Sequence, residues 1–130
     1  MIELVYFHKT GSDSVSHYVR TRDRPLIITD YAPSMKYTAF IGAGQPYSVI
    51  ENYDKADGET CLVIKDSFGN AFVPFLIPHY KTIHIIDPRH YELSLSEFSQ
   101  NKKIDDIIFI SNISTTRNEI FIGAMEEFIK

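Results

Sequence analysis

The sequence predicts an α/β domain with a mostly parallel sheet and a β-rich N-terminal segment, and three observations carry that expectation. Apolar runs recur at residues 61–64, 82–86 and 106–110, short and continuous as strands buried on both faces are. Helical patterns separate these runs, and a strand–helix–strand order implies right-handed crossovers that place helices on both faces of the sheet. The 130 residues, 44% hydrophobic and 23% charged, suit one packed core and exclude a disordered or fibrous chain.

The elements follow in order. Residues 2–8 form an apolar, β-rich run, Gly11-Ser12-Asp13-Ser14 is a turn cluster, and residues 15–22 alternate again, which reads as a hairpin. Arg24-Pro25 breaks the pattern, and Leu26-Ile27-Ile28-Thr29 is another short strand, closed by Asp30 and Ala32-Pro33-Ser34. A β-rich segment at 1–36 thus precedes an α/β portion at 37–130 within one domain spanning 1–130. Phe68, Ala71, Phe72, Phe75, Leu76 and Tyr80 stand at helical spacing, so a helix is expected over 68–80, with Pro74 and Pro78 limiting its regularity. A second helix over 93–100 has Ser94 as N-cap and Glu97 three residues later, a capping-box pattern. The last helix runs from Thr115 or Thr116 to Lys130.

Composition narrows the function. The net charge is −4 and, apart from Arg20, Arg22 and Arg24 and the pair Lys102-Lys103, the basic residues are scattered, so no nucleic-acid face is expected. The alternating arginines read as a solvated strand face, with anion contact as the alternative. The one cysteine, Cys61, lies in an apolar run and reads as a buried core residue, with no partner for a disulfide or a multi-cysteine zinc site. His8, His17 and His79 show no ligand spacing, so neither a metal nor a cofactor is expected. No stretch approaches the ~20 apolar residues of a membrane span and no export signal opens the chain, so a soluble protein is expected.

Ligands of such sheets bind beyond the carboxyl ends of the strands, which selects Lys65-Asp66-Ser67, Asp87-Pro88-Arg89-His90 and Ser111-Asn112. Ser67 falls on a strand-to-helix turn, where a hydroxyl is exposed beside helix N–H groups, an arrangement suited to a nucleophile and an oxyanion. The plainer alternative is that Asp66 or Ser67 only caps the helix. A nucleophilic serine needs a base, and His90, which follows Asp87 with two residues between, could form an Asp87–His90 dyad facing Ser67. His84 alternates with Ile83 and Ile85 and reads as a hydrogen-bonded core or edge residue. Gly42-Ala43-Gly44 reads as a tight turn, or as backbone brought close to a ligand.

A series of segments gives a further signal: Phe40-Ile41-Gly42-Ala43-Gly44-Gln45-Pro46, Leu62-Val63-Ile64-Lys65-Asp66-Ser67-Phe68-Gly69-Asn70, Val73-Pro74-Phe75-Leu76, His79-Tyr80 and Ile86-Asp87-Pro88-Arg89-His90-Tyr91. This series resembles the carboxyl-terminal half of the DHHW proteins, bacterial relatives of the alginate O-acetyltransferase-like branch of SGNH hydrolases. The resemblance covers roughly the final two-thirds of the chain, with residues 106–112 similar to the family's last strand. It implies a partial SGNH-like three-layer fold, Ser67 as nucleophile, and substrate or oxyanion roles for Gly42, Gly44, Asn70 and Arg89. The family's acid and histidine lie in an earlier Asp-His-His-Trp-type motif that is absent here, and Gly44 stands where the family pattern has Asn.

The resulting expectation is a truncated SGNH-like domain that keeps the nucleophile and is not catalytic alone, because an unactivated serine hydroxyl is a weak nucleophile near neutral pH. The alternatives are an esterase or O-acyltransferase acting on acylated cell-surface glycans through the Asp87–His90 dyad, and a carbohydrate-binding remnant using Arg89, Asn70 and nearby aromatics. The expected partners are an acylated carbohydrate and a second copy or a complementary half-domain, since a missing half-sheet leaves an apolar edge open, with the N-terminal strands as one route to self-association. The resemblance implies relatives that are usually exported or membrane-anchored, and the sequence leaves this chain's own compartment open.

Overall fold

The computed structural model describes residues 2–10, 17–20 and 45–130. Six strands form one sheet: β1 (Ile2–Thr10), β2 (His17–Arg20), β3 (Tyr47–Asn52), β4 (Glu59–Lys65), β5 (Tyr80–Ile86) and β6 (Asp106–Ile110). Their spatial order is β2-β1-β3-β5-β4-β6. The expected hairpin is present as the antiparallel β1–β2 pair, with Phe7 opposite Arg20 and Thr10 opposite His17. The strand expected at 26–29 and the Gly42-Ala43-Gly44 turn lie outside the described residues.

The α/β class holds, and the sheet is mixed. β4 pairs in parallel with β5 and β6, while β1–β2, β1–β3 and β3–β5 are antiparallel. The mostly parallel sheet expected from the apolar runs is thus confined to the three strands that carry them. The strand that expectation lacked is β3, where the polar residues Ser48, Glu51 and Asn52 obscure an element whose Val49 and Ile50 are buried.

Period-two alternation along β4 sends Cys61 and Val63 to one face and Leu62 and Ile64 to the other. The first face packs on Val73, Leu76 and Ile77, and the second on Tyr91, Phe98 and Phe128. Helices α1 (Leu95–Ser99) and α2 (Glu119–Ile129) contribute Phe98 and Phe128, so the sheet lies between two covering layers. Cys61 is fully buried in the first layer, as expected, and burial pushes its thiol up to about 11.

Two expected helices differ in kind. Residues 68–80 form two short 3-10 helices, Ser67–Ala71 and Val73–Leu76, rather than one α-helix. Pro74 has no N–H to donate and its ring crowds the carbonyl of the preceding turn, so the chain closes tighter turns such as Phe72 N–H to Gly69 O at 3.0 Å. At the C-terminus a 3-10 helix, Ile113–Arg117, precedes α2, because the Asn118 side chain accepts from the N–H groups of Ile120 and Phe121 and starts the helix there. The capping box at Ser94 and Glu97 is complete: Glu97 N–H donates to Ser94 Oγ, and Ser94 N–H donates to Glu97 Oε2.

Candidate nucleophile site

Ser67 is the first residue of a 3-10 helix just beyond the carboxyl end of β4, and it is exposed. The preceding residue, Asp66, is buried and fixes this turn from three directions. Its Oδ1 accepts from Phe68 N–H at 2.9 Å, and its Oδ2 accepts from Asn112 N–H and from the Thr115 hydroxyl, both at 2.7 Å. Two of these donors come from the segment after β6, and Asp66 N–H donates to Ile110 O at 3.2 Å, so the ends of β4 and β6 are tied together. Capping and an exposed hydroxyl therefore coexist here: Asp66 caps, and Ser67 is left facing solvent.

The capping has a consequence for oxyanion donors. Phe68 N–H is engaged by Asp66 Oδ1 and Gly69 N–H by Asp66 O, leaving the Ser67 N–H as the candidate donor within this turn. Gly42 and Gly44, the other residues expected near an oxyanion, lie outside the described residues.

Lys65 continues the face of Cys61 and Val63 and is 1% exposed. Among the described residues its Nζ has no hydrogen-bond partner. A Cβ placed on Gly69 would stand 2.6 Å from Lys65 Cβ, so only glycine lets the 3-10 helix rest on the lysine stem. Burial is the main influence on the ammonium and lowers it to about 8, with Asp87 opposing and Arg89 reinforcing the shift. The sequence signal for this group was available: a lysine on the inward face of an apolar strand, followed four residues later by glycine.

At the end of β5, Asp87 is fully buried. Arg89 engages both its oxygens, Nε to Oδ1 at 2.9 Å and Nη2 to Oδ2 at 2.6 Å, a two-pronged ion pair on a single turn. The Asp87 carboxylate holds the Arg89 guanidinium above its ordinary value. The expected Asp87–His90 dyad is not formed: His90 contacts Asp87 through its backbone, N–H to O at 3.1 Å, and its residue is exposed. The reason is geometric, since a guanidinium two residues away offers two parallel donors to the same carboxylate. Among the described residues no hydrogen bond joins Ser67 to a histidine.

The structure places Asn70 on the Ser67 helix, 1% exposed, and leaves Arg89 with about a third of its side chain in solvent. His84 is a buried core residue, as its alternation implied. Burial lowers its imidazole to about 4 and raises the Tyr47 phenol, and the Tyr47 hydroxyl and His84 Nδ1 share a hydrogen bond of 2.9 Å. A cleft of about 600 Å³ opens between the loop at Pro88, Tyr91 and Glu92 and the end of α2, and Ser67 does not line it. Among the described residues no group of three or more His, Cys, Asp or Glu could hold a metal ion, and no helix is long and apolar enough to cross a membrane.

The buried strand ending in Lys65, with Asp66 and the exposed Ser67 on the turn beyond it and a parallel neighbour on each side, lies within the residues that a family model matches. The family model of the DHHW proteins matches residues 17–86. The chain belongs to the DHHW family. A solved DHHW family protein from Eubacterium siraeum is similar over 99% of this chain and 41% of its own, at 24% identity and a TM-score of 0.77. Bacillus cereus PatB1 is similar over 92% of this chain and 38% of its own, at 27% identity and a TM-score of 0.64. The structure of PatB1 with a sulfonyl adduct matches over the same shares at 26% identity. The chain therefore spans about two-fifths of the length of these solved relatives. No curated protein matches it.

Proposed function

We propose that Ser67 is the nucleophile of an ester-cleaving or acyl-transferring site in an SGNH-like domain, and that its general base comes from outside these 130 residues. The observation that carries this reading is the placement of Ser67: exposed beyond a buried parallel strand, on a turn held by Asp66, with no histidine bonded to it among the described residues. Asp87, the acid that would orient His90, is already bound by Arg89.

In the reaction the Ser67 hydroxyl attacks the acyl carbon while a base removes its proton, and the negative charge that forms on the carbonyl oxygen meets N–H donors, with the Ser67 N–H among them. The sulfonyl adduct of PatB1 supports the class of chemistry, because sulfonyl electrophiles are captured by activated nucleophiles. The substrate class that family resemblance suggests is an O-acylated glycan. Within this reading residues 1–130 act as one SGNH-like portion whose catalysis depends on groups supplied to it.

The test is hydrolysis of p-nitrophenyl acetate by the isolated chain and by Ser67→Ala. Equal background rates are expected, because among the described residues no base is bonded to the hydroxyl. Turnover by the isolated chain that disappears in Ser67→Ala would overturn the external base.

A second reading has one observation in its favour: Phe68, Phe72 and Phe75 are exposed on the helices that follow Ser67, Phe75 to 74%. Such a face suits stacking against sugar rings, as a carbohydrate-binding remnant requires. Calorimetric titration with acetylated and plain oligosaccharides decides it, and the absence of binding to either would remove it.

A further inference from the structure

The turn that carries Ser67 rests on a buried charge. Lys65, two residues earlier, is 1% exposed, and its stem runs beneath Gly69, where an added Cβ would stand 2.6 Å from Lys65 Cβ and 2.9 Å from Lys65 Cδ. Gly69 N–H donates to Asp66 O at 3.1 Å, so Ser67 is enclosed in a turn latched by Asp66 and seated on the Lys65 stem. The parallel β4–β5 pair sets Ile64 beside Ile86, and one residue further along Lys65 comes beside Asp87. The charged groups acting on the ammonium are Asp87, Arg89 and Asp66. From β6 the residue in register is Ile110, and the 3-10 helix above offers Gly69 and Asn70, none of which titrates. Both carboxylates are already occupied, Asp66 by Phe68, Asn112 and Thr115, and Asp87 by Arg89. Among the described residues the ammonium is left without a hydrogen-bond partner.

Packing does not account for such a group. A methionine stem would fill much the same space, whereas an ammonium withdrawn from water without a partner costs stability. Perturbed charges that a fold keeps at such a cost gather at functional sites, and this one lies under the turn of the candidate nucleophile. We propose that Lys65 is a positioning residue for Ser67: its stem sets the height of the turn, and its buried positive charge favours the negative charge that develops at Ser67 as the hydroxyl passes its proton to a base. The inference rests on Ser67 being the nucleophile, as proposed above. Sealed beneath the 3-10 helix, Lys65 reaches the reaction only through the turn. A charge fixed in a water-poor interior is screened less than one in solvent and is in place before the reaction begins. The ammonium is charged below about 8 and neutral above it, so its support is present on the acid side and fades as pH rises through that value.

The test supplies a base from solution. Labelling of Ser67 by a sulfonyl fluoride in the presence of imidazole is followed by peptide mapping from pH 6.5 to pH 9.5, for the full 130-residue chain and for Lys65→Met, with Ser67→Ala as background. Imidazole becomes a base as it loses its proton at roughly pH 7, so the wild-type rate is expected to rise to a maximum and then fall as pH passes 8. The Cys61 thiol, on the same face as Lys65, ionises at about 11, outside this range. In Lys65→Met the rate is expected to be about ten-fold lower at pH 7 and to level off above pH 8 without a fall. That variant keeps a stem and removes the charge, and circular dichroism with a melting temperature no lower than that of wild type separates slower labelling from unfolding. Equal rates and superimposable profiles for the two proteins would overturn the positioning role and leave Ser67 as nucleophile, since a merely structural lysine does not shape the profile. A wild-type rate that stays level above pH 8 would overturn it as well, whatever the variant does. A wild-type chain that imidazole does not label at Ser67 would overturn the nucleophile and this inference with it.

Discussion

The carboxyl ends of β4 and β5 each carry a buried aspartate, and the two are used in opposite ways. Asp66 accepts three donors, one on its own turn and two from the segment after β6. Asp87 spends both oxygens on Arg89, two residues away. The first arrangement joins distant parts of the chain around the serine; the second closes a local turn and leaves His90 in solvent. The difference teaches that a serine beside an acid and a histidine in sequence is not a triad: what counts is which donor each carboxylate has already accepted.

The comparison breaks first at Asp66. Asp66→Ala removes one buried acceptor for three partly buried donors, so a loss of about 3 kcal/mol in denaturant unfolding is expected. A loss below about 1 kcal/mol would show that the latch does not hold the turn.

Lys65 sharpens it. Its ammonium sits near 8 in the fold and at 10.5 in the unfolded chain, so the unfolded chain binds more protons between these values and stability from this group rises as pH climbs through that window. Below pH 8 the buried charge is a cost, and Lys65→Met is expected to stabilise the protein there by up to roughly 3 kcal/mol. The difference between the two proteins is the quantity to follow, because burial also raises the Cys61 thiol and the Tyr47 hydroxyl that ionise at alkaline pH. A gap that stays constant from pH 7 to pH 10 would mean that the ammonium is hydrated or paired.

The smallest effect is expected at His90. An exposed side chain whose neighbouring acid is engaged elsewhere should change stability by less than about 0.5 kcal/mol in His90→Ala. A loss above about 1 kcal/mol would restore the ring to a partnership with Asp87.

Much of the fold was legible because its signals are local. Cys61-Leu62-Val63-Ile64 reads as a two-faced strand from its apolar continuity alone, and Ser94 with Glu97 reads as a helix start from capping chemistry. Strand β3 was hidden because Ser48 and Asn52 are polar yet buried, and the Asn52 Nδ2 is satisfied by a tertiary bond to Ile77 O at 3.0 Å. The 3-10 geometry after Ser67 was foreshadowed by Pro74 without being determined by it. Within the site, Ser67 could be found from its place after an apolar strand. The Asp66 latch could not, because Asn112 and Thr115 are 46 and 49 residues away and meet it only when β4 and β6 pair. Arg89 was read as a substrate residue, and the competition between guanidinium and imidazole for Asp87 depends on side-chain geometry that spacing does not reveal.

The most direct measurement of the central claim is intact mass and peptide mapping after treatment with a sulfonyl fluoride, for the chain alone and for the chain co-expressed with the unmatched portion of the Eubacterium siraeum protein. The account predicts no adduct on the chain alone and a single adduct on Ser67 in the complex. An adduct on Ser67 of the chain alone, or one on another residue of the complex, would contradict it.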